Sequence, residues 1–532
     1  MLKRLPLLLL LTLPVACDAP HDSVDSIMTR QVQALRKLPE EERVRLMTSA
    51  EEQVADDEAE AAVIESGVLE LAEAREIALR TNPDIHATRA RLEAALSRIA
   101  EARSFYFPQL GMIHNSTRTF QTPVRRTRLT STISPVPSVA DVTQDPSFTN
   151  IFSLVTQTLL GRQTLSTGNL NSFSDHSTTF TATWTLFDGF TREARLLSAK
   201  HSYLASAMAL ADAERLLVRA VDTAFYQIQL GEEQLRIALA DEEFSRRQLD
   251  DARRRFEAQK ITKADVLNFE VRVRAAQTNV VSAAGLRDTG RVVLAELLAL
   301  PGALLPAGVE LAALADESEA EMTPPDIDEW IQKALALRPD LAQAEHMMHA
   351  RKENITLTKG EYYPELLVTG SWGFERLANL AYSEGDQASG LGIEMRWQLF
   401  TGGFRNSQVR RAQAEWWEAL ATLKRKRLEI AADVRQTIVD LVNAQEQVRL
   451  QSINLESAQE NRRIVEAEFA AGKSSVVRLN EAQRDYVETE GELVRARIEL
   501  RQSWSDLRAA ASAYKRPTNG NQHTLVDPLE SD

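Results

Sequence analysis

The sequence predicts an α+β membrane protein in which a transmembrane β-barrel, shared between subunits, runs into very long α-helices. Three observations carry that prediction: strands of alternating polarity, one very long helical interval, and an internal duplication. LGIEMRWQLF sets Leu391, Ile393, Met395, Trp397 and Leu399 against Gly392, Glu394, Arg396 and Gln398. A period of two gives one apolar and one polar face, as a half-buried strand needs. TGGF then breaks the strand, and no Pro or Gly follows Gly403 until Gly472. A helix over that interval would reach about 100 Å at 1.5 Å per residue. Val434, Ile438, Leu441, Gln445, Val448, Ser452 and Leu455 step along it like a coiled-coil seam with two polar interruptions. A membrane-type strand feeding so long a helix suggests a conduit rather than a pocket.

The same unit occurs earlier in the chain. FDGF at Phe187 corresponds to FTGGF at Phe400, Trp184 to Trp397, and FEAQK at Phe256 to FAAGK at Phe469, each offset by 213. Upstream, Pro83 of TNPD matches Pro339 of LRPD, and Pro108 of FYFP matches Pro364 of EYYP, both offset by 256. The first copy therefore carries 43 extra residues between Pro108 and Phe187. One duplication with one large insertion fixes the architecture.

The chain begins with MLKRLPLLLLLTLPVAC, a basic start followed by a short Leu-rich run. That run is too short to span a bilayer and reads as an export signal over 1–16. Cys17, the single cysteine, sits at the expected cleavage point, so there is no disulfide framework and the thiol reads as a lipoprotein acceptor. Pro14 departs from the usual lipobox, and Asp18 follows the Cys directly. An acidic tether is expected over 17–66, and a first repeat over 67–300. Within it, Leu69–Arg80 is an amphipathic helix ended at Asn82-Pro83, because the residue before Pro disfavours αR. Asp84–Arg103 is Ala-rich and helical, closed by the aromatics of FYFP at the helix-to-strand boundary.

Phe180, Ala182, Trp184 and Leu186 alternate with threonines, and Leu366, Val368, Gly370, Trp372 and Phe374 alternate in the second copy. The strand after Pro108 alternates poorly. Strands of about ten residues suit a tilted bilayer crossing. Four of them cannot close a membrane barrel, and an open edge in lipid leaves backbone groups unpaired, so subunits must share the barrel. A Ser, Thr, Asn and Pro-rich loop, Thr119 to Asp175, separates the first two strands, while its counterpart near Arg376–Ala388 is short. Long loops face outward in such barrels. A linker is expected over 301–326, a second repeat over 327–514 and a tail over 515–532.

The formal net charge of −14 argues against nucleic acid as a partner. The basic clusters Arg253–Arg255 and Lys424–Arg427 read as solvated helix faces. There is no phosphate-cradling Gly loop, nucleophile elbow or CxxC, so neither an enzyme nor a cofactor is expected. His346 and His349, beside Met347 and Met348, could form a soft-metal site, but an ordinary helix surface is the favoured reading and no metal is expected.

From about Val68 to Tyr514 the chain resembles the outer-membrane efflux protein family, the TolC-like outer membrane factors. The resemblance rests on NPD/RPD, the Ala-rich helix ending in aromatic-Pro, FDGF/FTGGF, and the turns followed by Leu267-Asn268 and Leu479-Asn480. It implies a homotrimer with twelve barrel strands, four per subunit, set in outer-membrane lipids and continuous with a periplasmic α-helical barrel. It also implies an efflux or type I secretion channel that meets a periplasmic adaptor and an inner-membrane transporter. Phe256, Lys260, Phe469, Gly472 and Lys473 would be adaptor-docking tips, and Asp265, Arg478 and Glu481 would line the tunnel entrance. The tip Gly is kept at 472 but replaced by Gln259 in the first copy, and Arg478 stands where an acid is usual. Asp265 and Arg478 are expected to face each other as an ion pair, within or between subunits. The rival reading is a periplasmic coiled-coil adaptor or scaffold lipoprotein.

Overall fold

The computed structural model describes residues 67–120, 172–306, 308–377, 380 and 382–514. The expected signal, Cys17, the acidic tether, the tail and all but the ends of the long loop lie outside the described residues; Thr119 and Asp175, expected in that loop, belong instead to paired strands.

The elements come in two matched sets. The first is β1 (Val68–Leu69), α1 (Leu71–Thr81), α2 (Pro83–Ser104), β2 (Gln109–Phe120), β3 (Ser172–Phe187), α3 (Thr191–Glu257) and α4 (Lys263–Leu297). The second is β4 (Glu310–Leu311), α5 (Ile327–Leu337), α6 (Pro339–Gly360), β5 (Glu365–Leu377), β6 (Gln387–Arg396), α7 (Phe404–Ala470) and α8 (Val476–Ala510). Corresponding helices have equal lengths, down to the long pair α3 and α7 at 67 residues each. The return helices α4 and α8 both hold 35 residues.

NPD and RPD start α2 and α6 with Pro in the first turn, where its missing N–H costs nothing. Around that shared start the copies differ. The Asn82 side chain accepts from the Asp84 amide and donates to the Leu297 carbonyl at 3.0 Å, anchoring the end of α4. Arg338 instead clasps Asp340 with two bonds of 3.0 and 2.8 Å and reaches Asp433 on α7 at 2.6 Å. Burial pushes the Asp340 carboxyl up, but Arg338 and Lys426 outweigh it and hold it at about 2.

The main sheet is antiparallel in the order β2-β3-β5-β6, so β2 and β6 are its open edges. Register puts Leu110 and Met112, Ala182 and Phe180, Gly370 and Trp372, and Leu391 on one face. Thr179, Thr181, Thr369 and Ser371 share the other. The apolar face is the accessible one: Leu391 is 69% exposed, whereas Thr179 is 4% exposed. A sheet in a water-soluble protein does the reverse. Strand β2, weak in pattern, is held by continuous pairing from Gln109 to Phe120. Strand β6 ends at Arg396, so Trp397, Gln398 and Leu399 lie beyond it and not on alternating strand faces as expected. The linker also holds a short strand that the sequence did not announce, β4, paired in parallel with β1.

Helix α3 packs along α4, α7 along α8, and α3 against α8, giving the lateral order α4-α3-α8-α7. Nearer the sheet, α2 packs on α3, and α6 lies against both α3 and α7. Helix α7 follows its predicted seam, with Val434, Ile438, Leu441 and Val448 buried. The polar interruption Gln445 is buried too, donating to the Glu321 carbonyl at 2.8 Å and so holding the linker. Gln229 on α3 does the same for the Ala312 carbonyl. Among the described residues no helix is long and apolar enough to cross a membrane.

Candidate functional site

Two levels of the molecule carry the candidate functional residues: the junction of sheet and helices, and the far ends of the two long hairpins.

At the junction the two copies build the same clamp. Trp184 donates its indole N–H to the Tyr106 carbonyl at 2.9 Å, and Trp397 donates to the Tyr362 carbonyl at 3.1 Å. Arg192 bonds the carbonyls of Thr185 and Leu186 and lies 5.1 Å from the Tyr106 ring centre. Arg405 bonds those of Glu361 and Gln398 and lies 5.2 Å from the Tyr362 ring. Arg192 thus satisfies two carbonyls left where a strand gives way to a helix, and Arg405 one such carbonyl and one at the end of α6. Left-handed backbone at Gly189 and Phe190, and at Gly402 and Gly403, turns the chain between them. A second aromatic group lies toward the strand hairpins, where Trp372 stands 5.4 Å from Phe180 and 5.0 Å from Phe374.

The far ends carry the predicted tip residues. In each turn the N–H of a lysine reaches back to the last helical turn: Lys260 to the Arg255 carbonyl at 2.9 Å, Lys473 to the Glu468 carbonyl at 2.8 Å. The preceding residue is left-handed in both, Gln259 at φ 58° and Gly472 at φ 71°. Phe256 and Phe469, equivalent in sequence, differ in surroundings. Phe469 packs beside Leu249, Ala252, Phe269, Val273 and Val476, joining the two hairpin ends, with Arg255 4.9 Å from its ring centre. Phe256 stays exposed.

The expected entrance pair does not form within the chain. Asp265 accepts from the Thr262 amide at 2.9 Å and its hydroxyl at 2.8 Å, closing a capping box at the start of α4. Those bonds hold its carboxyl below the ordinary range. Arg478 pairs with Glu468 of its own hairpin at 3.5 Å. Each charge already has a local partner, and for Asp265 that partner is the geometry of its own helix. Glu481 is exposed.

A buried hub farther up the hairpins escaped the sequence reading. Asp241 on α3, 2% exposed, accepts from Arg272 on α4 at 3.0 Å and from Gln483 on α8 at 2.9 Å. Gln483 in turn accepts from Arg462 on α7 at 3.4 Å. One carboxylate therefore links all four long helices. The available signal was a departure between copies, since Asp241 and Arg272 correspond to Asn454 and Asp485.

His201 on α3 stacks with His349 and His346 on α6, at ring distances of 5.2 and 5.9 Å. The Met348 sulfur accepts from the Trp416 indole. Among the described residues no group of three or more His, Cys, Asp or Glu is arranged to hold a metal ion.

An outward-apolar sheet continuous with paired long hairpins defines an outer-membrane channel fold. The sequence profile of the family described as Outer membrane efflux protein matches residues 148–300 and 330–513. The chain belongs to that family. It is 25% identical to the alkaline protease secretion protein AprF of Pseudomonas aeruginosa, over 56% of this chain and 61% of that one. It thus spans about three fifths of that relative's length. Against the outer membrane protein TolC of Escherichia coli it is 22% identical, over 78% of this chain and 77% of that one. The structure of the outer membrane protein VceC from Vibrio cholerae superposes with a TM-score of 0.66 at 14% identity, over 83% of this chain and 95% of that one.

Proposed function

We propose that the chain is the outer-membrane channel subunit of a tripartite efflux or type I secretion system. In this reading three copies close a twelve-stranded barrel above a periplasmic tunnel. A periplasmic adaptor and an inner-membrane transporter meet the tunnel at the hairpin ends, and Cys17 carries a lipid anchor. The observation that carries the proposal is the sheet, whose apolar face is exposed and bounded by aromatic residues at both ends. Aromatic girdles around an apolar band are what a bilayer selects.

The open edges support a ring of copies. One side of the subunit ends in β2, α2 and α4, the other in β6 and α7. Unpaired strand edges are not tolerated in lipid, so unlike edges of neighbouring copies must meet, and a contact of that kind closes into a ring. The outer helices carry exposed apolar stripes suited to the same contact: Leu267, Val271, Val281 and Val292 on α4, and Leu428, Val439, Leu450 and Ile453 on α7. A periplasmic adaptor would have no use for an outward-apolar sheet. No step in this function calls for a catalytic group or a cofactor.

The test is reconstitution. Protein extracted from outer membranes should migrate as a heat-modifiable trimer and give discrete conductance steps in planar bilayers. A soluble monomer without conductance would refute the proposal.

A further inference from the structure

We propose that β6 of one subunit pairs with β2 of the next in the register that β3 and β5 already use within the chain, an inference that rests on the channel reading above. Position by position, β6 is the second repeat's version of β3, at an offset of 213. β2 is the first repeat's version of β5, at an offset of 256. The β3–β5 joint therefore has an unfilled twin at the two open edges of the sheet.

Strand lengths point to the missing partner. β3 runs to Phe187, and Trp184, Thr185 and Phe187 lie opposite Val368, Leu367 and Leu366 of β5. Their counterparts are Trp397, Gln398 and Phe400, yet β6 stops at Arg396. What β6 lacks at that end is a strand opposite it. The counterparts of Val368, Leu367 and Leu366 are Met112, Gly111 and Leu110, on the other open edge. Phe400 is 89% exposed and Leu110 81%, so both halves of the joint are uncovered.

The pairs Phe180–Trp372 and Ala182–Gly370 then set Ile393 opposite Ser116, and Met395 opposite His114, of the next subunit. The offsets come from turn and proline motifs rather than from strand faces, so the facing is an independent check. A slip of one residue would turn every side chain to the wrong face. In the transferred register Leu391, Ile393 and Met395 share the outward apolar face with Leu110 and Met112 of the next subunit.

The turn below the strands repeats the arrangement. A Cβ on Gly189 would meet the Gly360 carbonyl at 2.5 Å and the Tyr363 Cβ at 2.8 Å, whereas nothing lies within 4 Å of one on its counterpart Gly402. In the first repeat Phe190 and Tyr363 meet edge to face, their ring centres 6.4 Å apart. Gly403 stands at the place of Phe190, and a cleft of about 330 Å³ opens there between Tyr362, Trp397, Phe400 and Arg405. Phe107 of the next subunit, the counterpart of Tyr363 and itself exposed, supplies the ring that this cleft takes.

The test is disulfide mapping in outer membranes of cells making the full-length protein with two added cysteines. Ile393→Cys with Ser116→Cys, and Met395→Cys with His114→Cys, are in register. Ile393→Cys with His114→Cys, and Met395→Cys with Ser116→Cys, use the same four positions two residues out. Opposite residues suit a disulfide and diagonal ones lie about 7–8 Å apart, so on oxidation the in-register pairs should link subunits roughly fivefold more. Single-cysteine variants control for Cys17. Linkage strongest in a mispaired combination, or equal in all four, overturns the proposal. Where one in-register variant fails to assemble, the other carries the test. Phe107→Ala should lower the temperature at which the unlinked trimer dissociates in detergent, and an unshifted temperature overturns the cleft contact. Trimer migration and conductance of the wild type are read alongside. If both stand while linkage ignores register, only the register is refuted. If both fail, the channel reading falls with it.

Discussion

Gln259 and Gly472 hold the same left-handed turn position at the ends of the two hairpins, at φ 58° and 71°. Gly adopts that conformation freely, whereas a residue with a Cβ is strained there by about 1–2 kcal/mol. Gln259→Gly should relieve the strain and add flexibility to the unfolded chain, for a net gain of about 0–1 kcal/mol. Gly472→Gln should cost about 1–2 kcal/mol. Thermal melting of the purified variants measures both. A gain from Gly472→Gln would mean the turn is remodelled rather than merely strained.

The duplication made most of this fold legible. Offsets between FDGF and FTGGF, and between NPD and RPD, predict two sets of elements, and the helices match in length pair by pair. What the duplication could not announce is whatever differs between the copies. The Asp241 hub exists in one copy only, and the β1–β4 pairing joins residues without strong alternation. The named residues stand at the hairpin ends, but Asp265 and Arg478 do not pair within the chain. Asp265 is drawn to its own cap because a capping box closes over three residues, whereas a pairing with Arg478 must bridge two hairpins. Gln398 was misplaced because alternation in sequence continues past Arg396 after the strand has ended.

The facing of the sheet predicts an asymmetric response to charge. Leu391→Lys, on the exposed apolar face near the middle of the strand pairing, should cost about 2–4 kcal/mol if it meets lipid. Trp184→Lys should cost less, because Trp184 is bonded to Tyr106 at the sheet's helical end, where the interface begins. Thr183→Lys, on the opposite face, should assemble normally. The yield of heat-modifiable trimer in outer membranes separates the three, and equal damage at Leu391 and Thr183 would refute the facing.

Arg192 and Arg405 should be equally intolerant of change. Each is at least nine-tenths buried and bonds two backbone carbonyls while lying over a tyrosine ring. Truncation leaves carbonyls unsatisfied, so Arg192→Ala or Arg405→Ala should cost about 2–4 kcal/mol. Lys cannot reproduce the planar fork and should rescue little. Because the clamps lie on separate strands, the double variant should show additive loss in melting or denaturant curves. Full rescue by Lys would mean that charge alone, not the fork, matters there.

His201 gives the fold a defined pH response. Burial, then the neighbouring imidazoles of His349 and His346, pushes its pKa below the ordinary 6.5. The folded chain therefore binds fewer protons than the unfolded one as the medium is acidified. This contribution is intact above the unfolded value and is lost as the pH falls below it toward the depressed folded value. Melting temperatures should drop on acidification through that window, and His201→Phe should flatten the drop. An unchanged slope in the variant would assign the acid sensitivity to other groups.

The hub at Asp241 makes the strongest prediction about opening. Its carboxylate is the one group bonded to both the α4 arginine and the α8 glutamine, so it ties the first hairpin to the second. Asp241→Asn preserves size but leaves Arg272, largely buried, without its counter-charge. Removing one partner of a buried pair costs about 3–5 kcal/mol, and here the loss falls on the contact between hairpins rather than within either. Gln483→Leu removes two bonds, the one to Asp241 and the longer one from Arg462, and spares the ion pair, so its cost should be about 1–2 kcal/mol. If the hub restrains the hairpins from spreading, Asp241→Asn should raise conductance or open probability in planar bilayers, with Gln483→Leu between it and the wild type. The disposition of the tips offers an internal control, because the Phe469 cluster lies lower and remains intact in both variants. Replacing Phe469 by Ala in the Asp241→Asn background should then open the channel further. Conductance that stays at the wild-type level in Asp241→Asn, with melting lowered, would show that the hub stabilises the hairpins without restraining them.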